Sequence, residues 1–250
     1  VIIMARIISI VNQKGGVGKS TTAVNLGAYL ALAGKRVLLF DIDPQGNASS
    51  GVGVDKSKIE RCVYSAIIEG ERMERVIQPT AIQGFDVAPA TIELAGAEIE
   101  LVSIMSREFR LKKALDTIAD QYDYILIDAP PSLGLLTINA LTASNSVLVP
   151  IQCEYYALEG LTQLIHTINL VKKRLNPELE IEGVVFTMYD ARTNLSLQVV
   201  ENVKENLKQN IYKTIIPRNI RLAEAPSHGL PISKYDSKSA GAESYKLLAE

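Results

Sequence analysis

The chain has 250 residues, is 47% hydrophobic and carries a formal net charge of −2. That is enough apolar material for one large domain or two small ones, and the near-neutral balance excludes a global positive field that would draw the protein to DNA or to a membrane. Any site for a polyanion must therefore be a local patch. Cys62 and Cys153 lie far apart and neither belongs to a C-x-x-C pair, which argues against a metal cluster within one chain and against a disulfide framework. No apolar run approaches membrane-spanning length, and the opening Val1–Met4 is too short for a signal segment. These features read as a reduced, cytoplasmic protein, with the first residues a vector remnant or a start upstream of Met4.

In chain order, the β-branched run Arg6 to Val11 predicts a buried strand. A glycine loop follows, then a helix from Lys19 to a stop at Gly34, a C′ glycine. "RVLLFDID" predicts a strand apolar on both faces until its acidic end, as in a covered parallel sheet. Residues 55 to 110 are less periodic; "YSAIIEG" and "REFRLKKALDTIADQY" read as helical and "FDVAPA" as a short strand. Further strands are predicted at "YDYILIDAPP", "SVLVPIQ", "IEGVVFTMY" and "YKTIIP". Helices are predicted at "EGLTQLIHTINLVKKRL", "NLSLQVVENVKENLKQ" and "SAGAESYKLLAE". Strands alternating with helices, with no repeat and no break in composition, predict a single doubly wound α/β domain over residues 1–250 with a mostly parallel sheet.

The strand, glycine loop and helix at Val11 to Leu26 supply the context of a phosphate-binding loop. Backbone N–H groups of the loop and of the helix start cradle phosphate oxygens. Lys19 reaches the β- and γ-phosphates, the Ser20 hydroxyl binds Mg²⁺, and Thr21 completes the nucleotide-contacting run. The usual pattern G-x-x-x-x-G-K-[ST] has its first glycine where this chain has Gln13. The loop instead reads Lys14-Gly15-Gly16-Val17-Gly18-Lys19-Ser20, with a second lysine. Asp41 and Asp43 end the second strand, where a carboxylate can hold a metal-bound water or orient an attacking one; a turn-capping role is the plainer alternative for either, and more so for Asp41. Asp128 ends a strand before Pro130 and Pro131, in the position of a carboxylate that holds Mg²⁺ through water, and the proline pair stiffens a turn able to sense the γ-phosphate.

The loop with its extra lysine is the deviant Walker A motif, and a chain carrying it resembles the ParA/MinD family of P-loop ATPases, P-loop NTPases of the SIMIBI type. "LTINALTASNSVLVPIQCEYYALEGL", "TMYDARTN" and "IPRNIRLAEAPSHGLPI" are similar to the chromosomal ParA (Soj) branch, and the resemblance runs from Arg6 to Leu248. It implies a slow, partner-stimulated ATPase using ATP and Mg²⁺, in which two chains sandwich two ATP molecules. Lys14 then reaches the partner subunit's nucleotide and joins Lys19 and Asp43 in hydrolysis; the segment around Asp43 is switch I, with a possible water-mediated metal contact, and the turn after Asp128 is switch II. Pro217, Arg218 and Asn219 lie against the adenine, and Glu154 lies near the ribose across the dimer. Arg192 and Arg221 match positions that contribute to non-specific binding of double-stranded DNA, and a ParB-type centromere-binding protein releases the dimer by stimulating hydrolysis. A nucleoid-associated cytoplasmic location follows.

Composition alone does not indicate DNA binding: Lys204, Lys208, Lys213, Arg218, Arg221, Lys234 and Lys238 are mixed with Glu201, Glu205 and Glu224. Doubling a modest patch in a dimer raises the number of phosphate contacts, on which affinity depends steeply. A MinD-like regulator of cell-division sites is the main alternative, and it needs a basic amphipathic anchor that "ESYKLLAE" does not provide. An iron protein of the nitrogenase type needs a cysteine spacing that Cys62 and Cys153 do not match, and both read as plain buried thiols. A biotin-pathway ligase needs an acid-binding site for which the sequence offers no candidate.

Overall fold

The computed structural model describes residues 1–16, 18–207 and 210–250. Val17 of the phosphate loop, Lys208 of the basic series and Gln209 at the end of the predicted helix lie outside the described residues.

Among the described residues, seven strands form one sheet: β1 (Arg6–Ile10), β2 (Val37–Asp41), β3 (Gln78–Pro79), β4 (Phe85–Ala88), β5 (Tyr124–Asp128), β6 (Ser146–Gln152) and β7 (Glu180–Thr187). Their order is β3-β4-β2-β5-β1-β6-β7, and every pairing is parallel except that of the short β3 with β4. The helices are α1 (Lys19–Leu32), α2 (Asn47–Gly51), α3 (Ala97–Glu100), α4 (Arg110–Asp116), α5 (Leu135–Ala143), α6 (Ala157–Arg174), α7 (Asn194–Asn206), α8 (Ile220–Glu224), α9 (Ile232–Tyr235) and α10 (Ala240–Ala249).

Alternate residues of each strand serve opposite faces. Leu38, Phe40, Ile125 and Ile127 enter a core with Leu115 of α4, Leu141 of α5, Leu164 of α6 and Val199 of α7. Val37, Leu39 and Leu126 enter a second core with Leu26 of α1, Ala48 of α2 and Tyr245 of α10. This is the doubly wound α/β arrangement expected from the sequence, and it explains why the central strands are apolar without alternation. β2 and β5 run in register, so Asp41 sits opposite Asp128, and Ile10 at the end of β1 sits on the other side of Asp128. Three loops that carry the candidate residues therefore leave the same edge of the sheet.

Several local expectations change. "YKTIIP" is not a strand of the sheet. Among the described residues it meets β7 at isolated bridges, Val184 with Ile211 and Tyr189 with Pro217, and by the Ile216 N–H to the Phe186 carbonyl, with Lys213 exposed between them. "YSAIIEG" forms one wide turn at Ser65–Glu69 that stops at Gly70, whose φ is 72°. The segment "REFRLKKALDTIADQY" is helical only over α4, flanked by tighter turns at Arg107–Phe109 and Ala119–Gln121. The Thr117 hydroxyl donates to the Ala114 carbonyl at 2.7 Å and the following N–H groups bond three residues back, which ends the α ladder.

Candidate nucleotide site

The phosphate loop begins where β1 ends and closes on α1. Gly16 and Gly18 take φ of 71° and 83°, the left-handed region that side chains resist, and Gly18 is the N-cap of α1. With glycine at both positions, the backbone can curl toward a bound anion at a helix N-terminus. Lys19 is the first residue of that helix and is buried; its ammonium donates to the Lys14 carbonyl at 3.2 Å. Burial pulls its pKa down, while the Asp128 and Asp43 carboxylates favour the cation. Gln13, standing where the usual loop has glycine, has a structural partner: its amide donates to the Gly160 carbonyl of α6 at 2.7 Å. Asn12 donates to the Pro150 carbonyl and accepts the Lys14 N–H. The start of the loop is thus pinned to β6 and α6.

The carboxylates behave differently from one another. Asp128 is fully buried and accepts the Ser20 hydroxyl at 2.6 Å through Oδ2, while among the described residues Oδ1 has no hydrogen-bond partner. Burial raises its pKa well above the carboxylate range and the neighbouring Asp41 adds to this, against the opposing pull of Ser20 and Lys19. An orphaned buried oxygen beside a serine hydroxyl fits a divalent cation held through water. Asp41 is also fully buried, but its oxygens are occupied: Oδ2 accepts both the N–H and the hydroxyl of Ser49, and Oδ1 accepts the Asp43 N–H. Burial pushes its pKa up to about 6. The turn-holding reading of Asp41 is thus the one its contacts describe. Asp43 points the next stretch of chain: its Oδ1 accepts the Gln45 N–H at 3.0 Å, and its side chain lines the cleft. That cleft, about 530 Å³, is also lined by Gly15, Gly16, Gly18, Lys19, Ser20 and Thr21.

A family model described as an AAA domain matches residues 5–181. The Bacillus subtilis sporulation initiation inhibitor protein Soj is 62% identical over 247 residues, covering 99% of this chain and 98% of its own. The Myxococcus xanthus chromosome partitioning protein ParA is 56% identical over 98% of this chain and 87% of its own. The chain belongs to the Soj/ParA family of chromosome-partitioning proteins. Among solved structures, a Mycobacterium smegmatis cobyrinic acid a,c-diamide synthase with bound ADP and magnesium superposes with a TM-score of 0.87 at 37% identity, over 98% of this chain and 93% of that one.

The residues that the Soj/ParA resemblance singled out fall into three places. Pro217, Arg218 and Asn219 line a pocket of about 340 Å³ that shares Gly18 and Thr21 with the phosphate cleft. The Asn219 side chain is committed to capping α8, accepting the Arg221 and Leu222 N–H groups. Lys14 is not among the residues lining the cleft, and its ammonium contacts the Glu154 carboxylate. Tyr155 and Tyr156 follow, both exposed, with rings edge to face at 5.0 Å. Arg192 and Arg221 are exposed and distant in sequence, and each is paired: Arg192 with Asp190, Arg221 with Glu224 and Asp236. Cys62 and Cys153 are both buried thiols; burial pushes Cys153 up to about 11.

One residue escaped the sequence reading. Met188 lines both the phosphate cleft and the neighbouring pocket, and holds φ at 53°, a conformation that costs a non-glycine residue energy and gathers at functional sites. Its sequence neighbourhood gives no sign of this. Among the described residues no helix is long and apolar enough to cross a membrane.

Proposed function

We propose that this Soj/ParA-family chain is a chromosome- or plasmid-partitioning ATPase in which ATP and Mg²⁺ drive a face-to-face homodimer. The dimer binds double-stranded DNA without reading sequence, and a ParB-type partner releases it by stimulating hydrolysis. The observation that carries this reading is the division of labour between the two lysines. Lys19 is buried and lines its own cleft, whereas the Lys14 side chain is half exposed, is not among the cleft-lining residues and is paired with Glu154. A half-exposed cation outside its own cleft lining is suited to neutralise the phosphates of a facing chain, where desolvation would otherwise make the paired nucleotides repel.

In the chemistry that follows, glycine-loop N–H groups and Lys19 hold the β- and γ-phosphates. Ser20 and the water-linked Asp128 are the residues suited to Mg²⁺, which supplies positive charge against the phosphate oxygens. Asp43, at the cleft wall, orients the attacking water and accepts its hydrogen bond. Arg218 with Pro217 and Asn219 shape the base pocket, and Glu154, released from Lys14, turns to the ribose across the interface. Arg192 and Arg221 from both chains contribute to one basic strip whose phosphate contacts double on dimerisation.

DNA binding measured with ATP, with ADP and without nucleotide tests the whole sequence of events. Binding promoted by ATP alone is expected. Binding that is indifferent to nucleotide, or that Arg221→Ala leaves at wild-type strength, overturns the DNA assignment.

A further inference from the structure

The segment from Ile92 to Phe109 turns an apolar face outward. Leu94, Ala97 and Leu101 are buried, and they recur at the spacing of a helical stripe. Ile92, Ile99 and Val102 recur at the same kind of spacing on the opposite side, and are 69%, 78% and 58% exposed; Met105 beyond them is 89% exposed. Other exposed aliphatics, such as Leu32, Leu170 and Ile220, are scattered along the chain, whereas here four large apolar side chains gather on one short segment.

The rim of this surface is acidic. Tyr64 donates to both Glu100 oxygens, and its pKa is pushed up to about 12 by that bond and by the nearby Glu69 and Glu93. Glu93 and Glu100 are both exposed and are the chain neighbours of Ile92 and Ile99, so each of these apolar side chains has a carboxylate beside it. An apolar face edged by carboxylates suits a cationic amphipathic segment and repels anionic lipid or nucleic acid.

The segment is also wired to the catalytic edge. Glu98 accepts the Leu135 and Leu136 N–H groups at 2.8 and 3.2 Å, capping α5, the helix that follows the turn after Asp128. Gly134 makes this possible, since a Cβ there would sit 2.8 Å from the Glu98 carboxylate. Asn139 of α5 reaches back, donating to the Arg107 carbonyl and accepting the Leu111 N–H.

We infer that the face of Ile92, Ile99, Val102 and Met105, with Glu93 and Glu100 at its rim, docks a basic, apolar-studded segment of the protein that stimulates hydrolysis, and that occupancy reaches the turn after Asp128 through Glu98. This rests on the partitioning reading, because it assigns that reading's partner a surface. The acidic edge steers the partner, so its effect falls with salt. The apolar face supplies contact, and the Glu98 cap couples any shift of the segment to α5.

The test is ATP turnover of the full chain with DNA, with and without the ParB-type protein of the same genome, for wild type, Ile99→Ser/Met105→Ser and Glu93→Lys/Glu100→Lys. Both double variants change exposed side chains, and matching melting curves with unchanged basal turnover establish that they fold. Stimulation is expected to fall at least about 10-fold in each, the loss of one or two anchoring contacts. Stimulation kept in both variants overturns the surface, while leaving the partitioning reading intact. Loss of the ATP-dependent dimer in the apolar variant overturns it too, since a second copy is then the occupant. So does vesicle binding by wild type that the apolar variant loses. A wild-type chain that the partner fails to stimulate overturns the partitioning reading itself.

Discussion

The Lys14 ammonium contacts the Glu154 carboxylate of its own chain, across the gap between the phosphate loop and the start of α6. In a single chain this contact keeps the lysine paired, while the neighbouring Gln13 bonds the loop to Gly160 of α6. Both groups are partly exposed, so the pair contributes roughly 0–1 kcal/mol to folding. Lys14→Ala is accordingly expected to fold normally and to bind ATP as a single chain, yet to form no ATP-dependent dimer. Lys19→Ala is expected to lose nucleotide binding in the single chain. Light scattering with ATP and ADP, alongside nucleotide titration, separates the two, and a Lys14→Ala chain that still dimerises on ATP refutes the division of labour.

Asp41 and Asp43 share one loop but answer to different forces. Asp41→Ala leaves the Ser49 N–H, the Ser49 hydroxyl and the Asp43 N–H without an acceptor in a fully buried place. A loss of about 3 kcal/mol of stability is expected, since one stranded buried donor costs about 1–3 kcal/mol. Among the described residues Asp43→Ala gives up one hydrogen bond, from the Gln45 N–H, and the pull of its carboxylate on Lys19; it should melt near wild type, while hydrolysis stalls and ATP dimers accumulate. Denaturant melts and ATP turnover on the two variants check this; similar destabilisation by both would refute it.

The contrast between these two aspartates also marks where the sequence stops being legible. The strand, glycine loop and helix were readable because a β-branched run, a loop and a 3.6-residue period are local signals. Asp128 at a strand end was readable for the same reason. The sequence already favours turn-capping more for Asp41 than for Asp43, but the partner that holds Asp41 was not legible, because the contact depends on Ser49 folding back from α2. Helix α5 was missed because it follows Pro130-Pro131 and has no local cap. Its cap is the Glu98 side chain, 37 residues upstream of Leu135. "YKTIIP" looked like a strand because β-branched residues favour one, but among the described residues the position beside β7 supplies isolated bridges.

The DNA assignment makes a quantitative demand. Arg192 and Arg221 are each held by carboxylates of their own chain, so a phosphate must displace or share those partners. If each arginine meets one phosphate per subunit, Arg192→Ala removes two contacts from the dimer. The slope of log affinity against log salt should then become shallower by about 2. Affinity should fall across all sequences alike. Titrating ATP-bound protein onto random-sequence duplexes at several salt concentrations measures this, and an unchanged slope removes Arg192 from the interface.

The Arg192–Asp190 pair makes a prediction that needs no DNA. The Arg192 side chain donates to both Asp190 oxygens at 2.9 Å, and its backbone N–H donates to the same carboxylate at 3.0 Å. Those contacts hold the Asp190 pKa down at about 2. A carboxyl depressed in the folded state stabilises the fold above its unfolded pKa, and that contribution is lost as pH falls through about 2 to 4. Arg192→Ala keeps the backbone donor but removes the guanidinium, so the Asp190 midpoint should move up toward the ordinary carboxylate range. The acid-side dependence contributed by this group should shrink with it. Carboxyl-carbon NMR titration of wild type and variant reads the midpoint directly. A midpoint that does not move would mean that the backbone N–H alone sets the Asp190 charge and that the guanidinium is free to leave it for a phosphate at little cost.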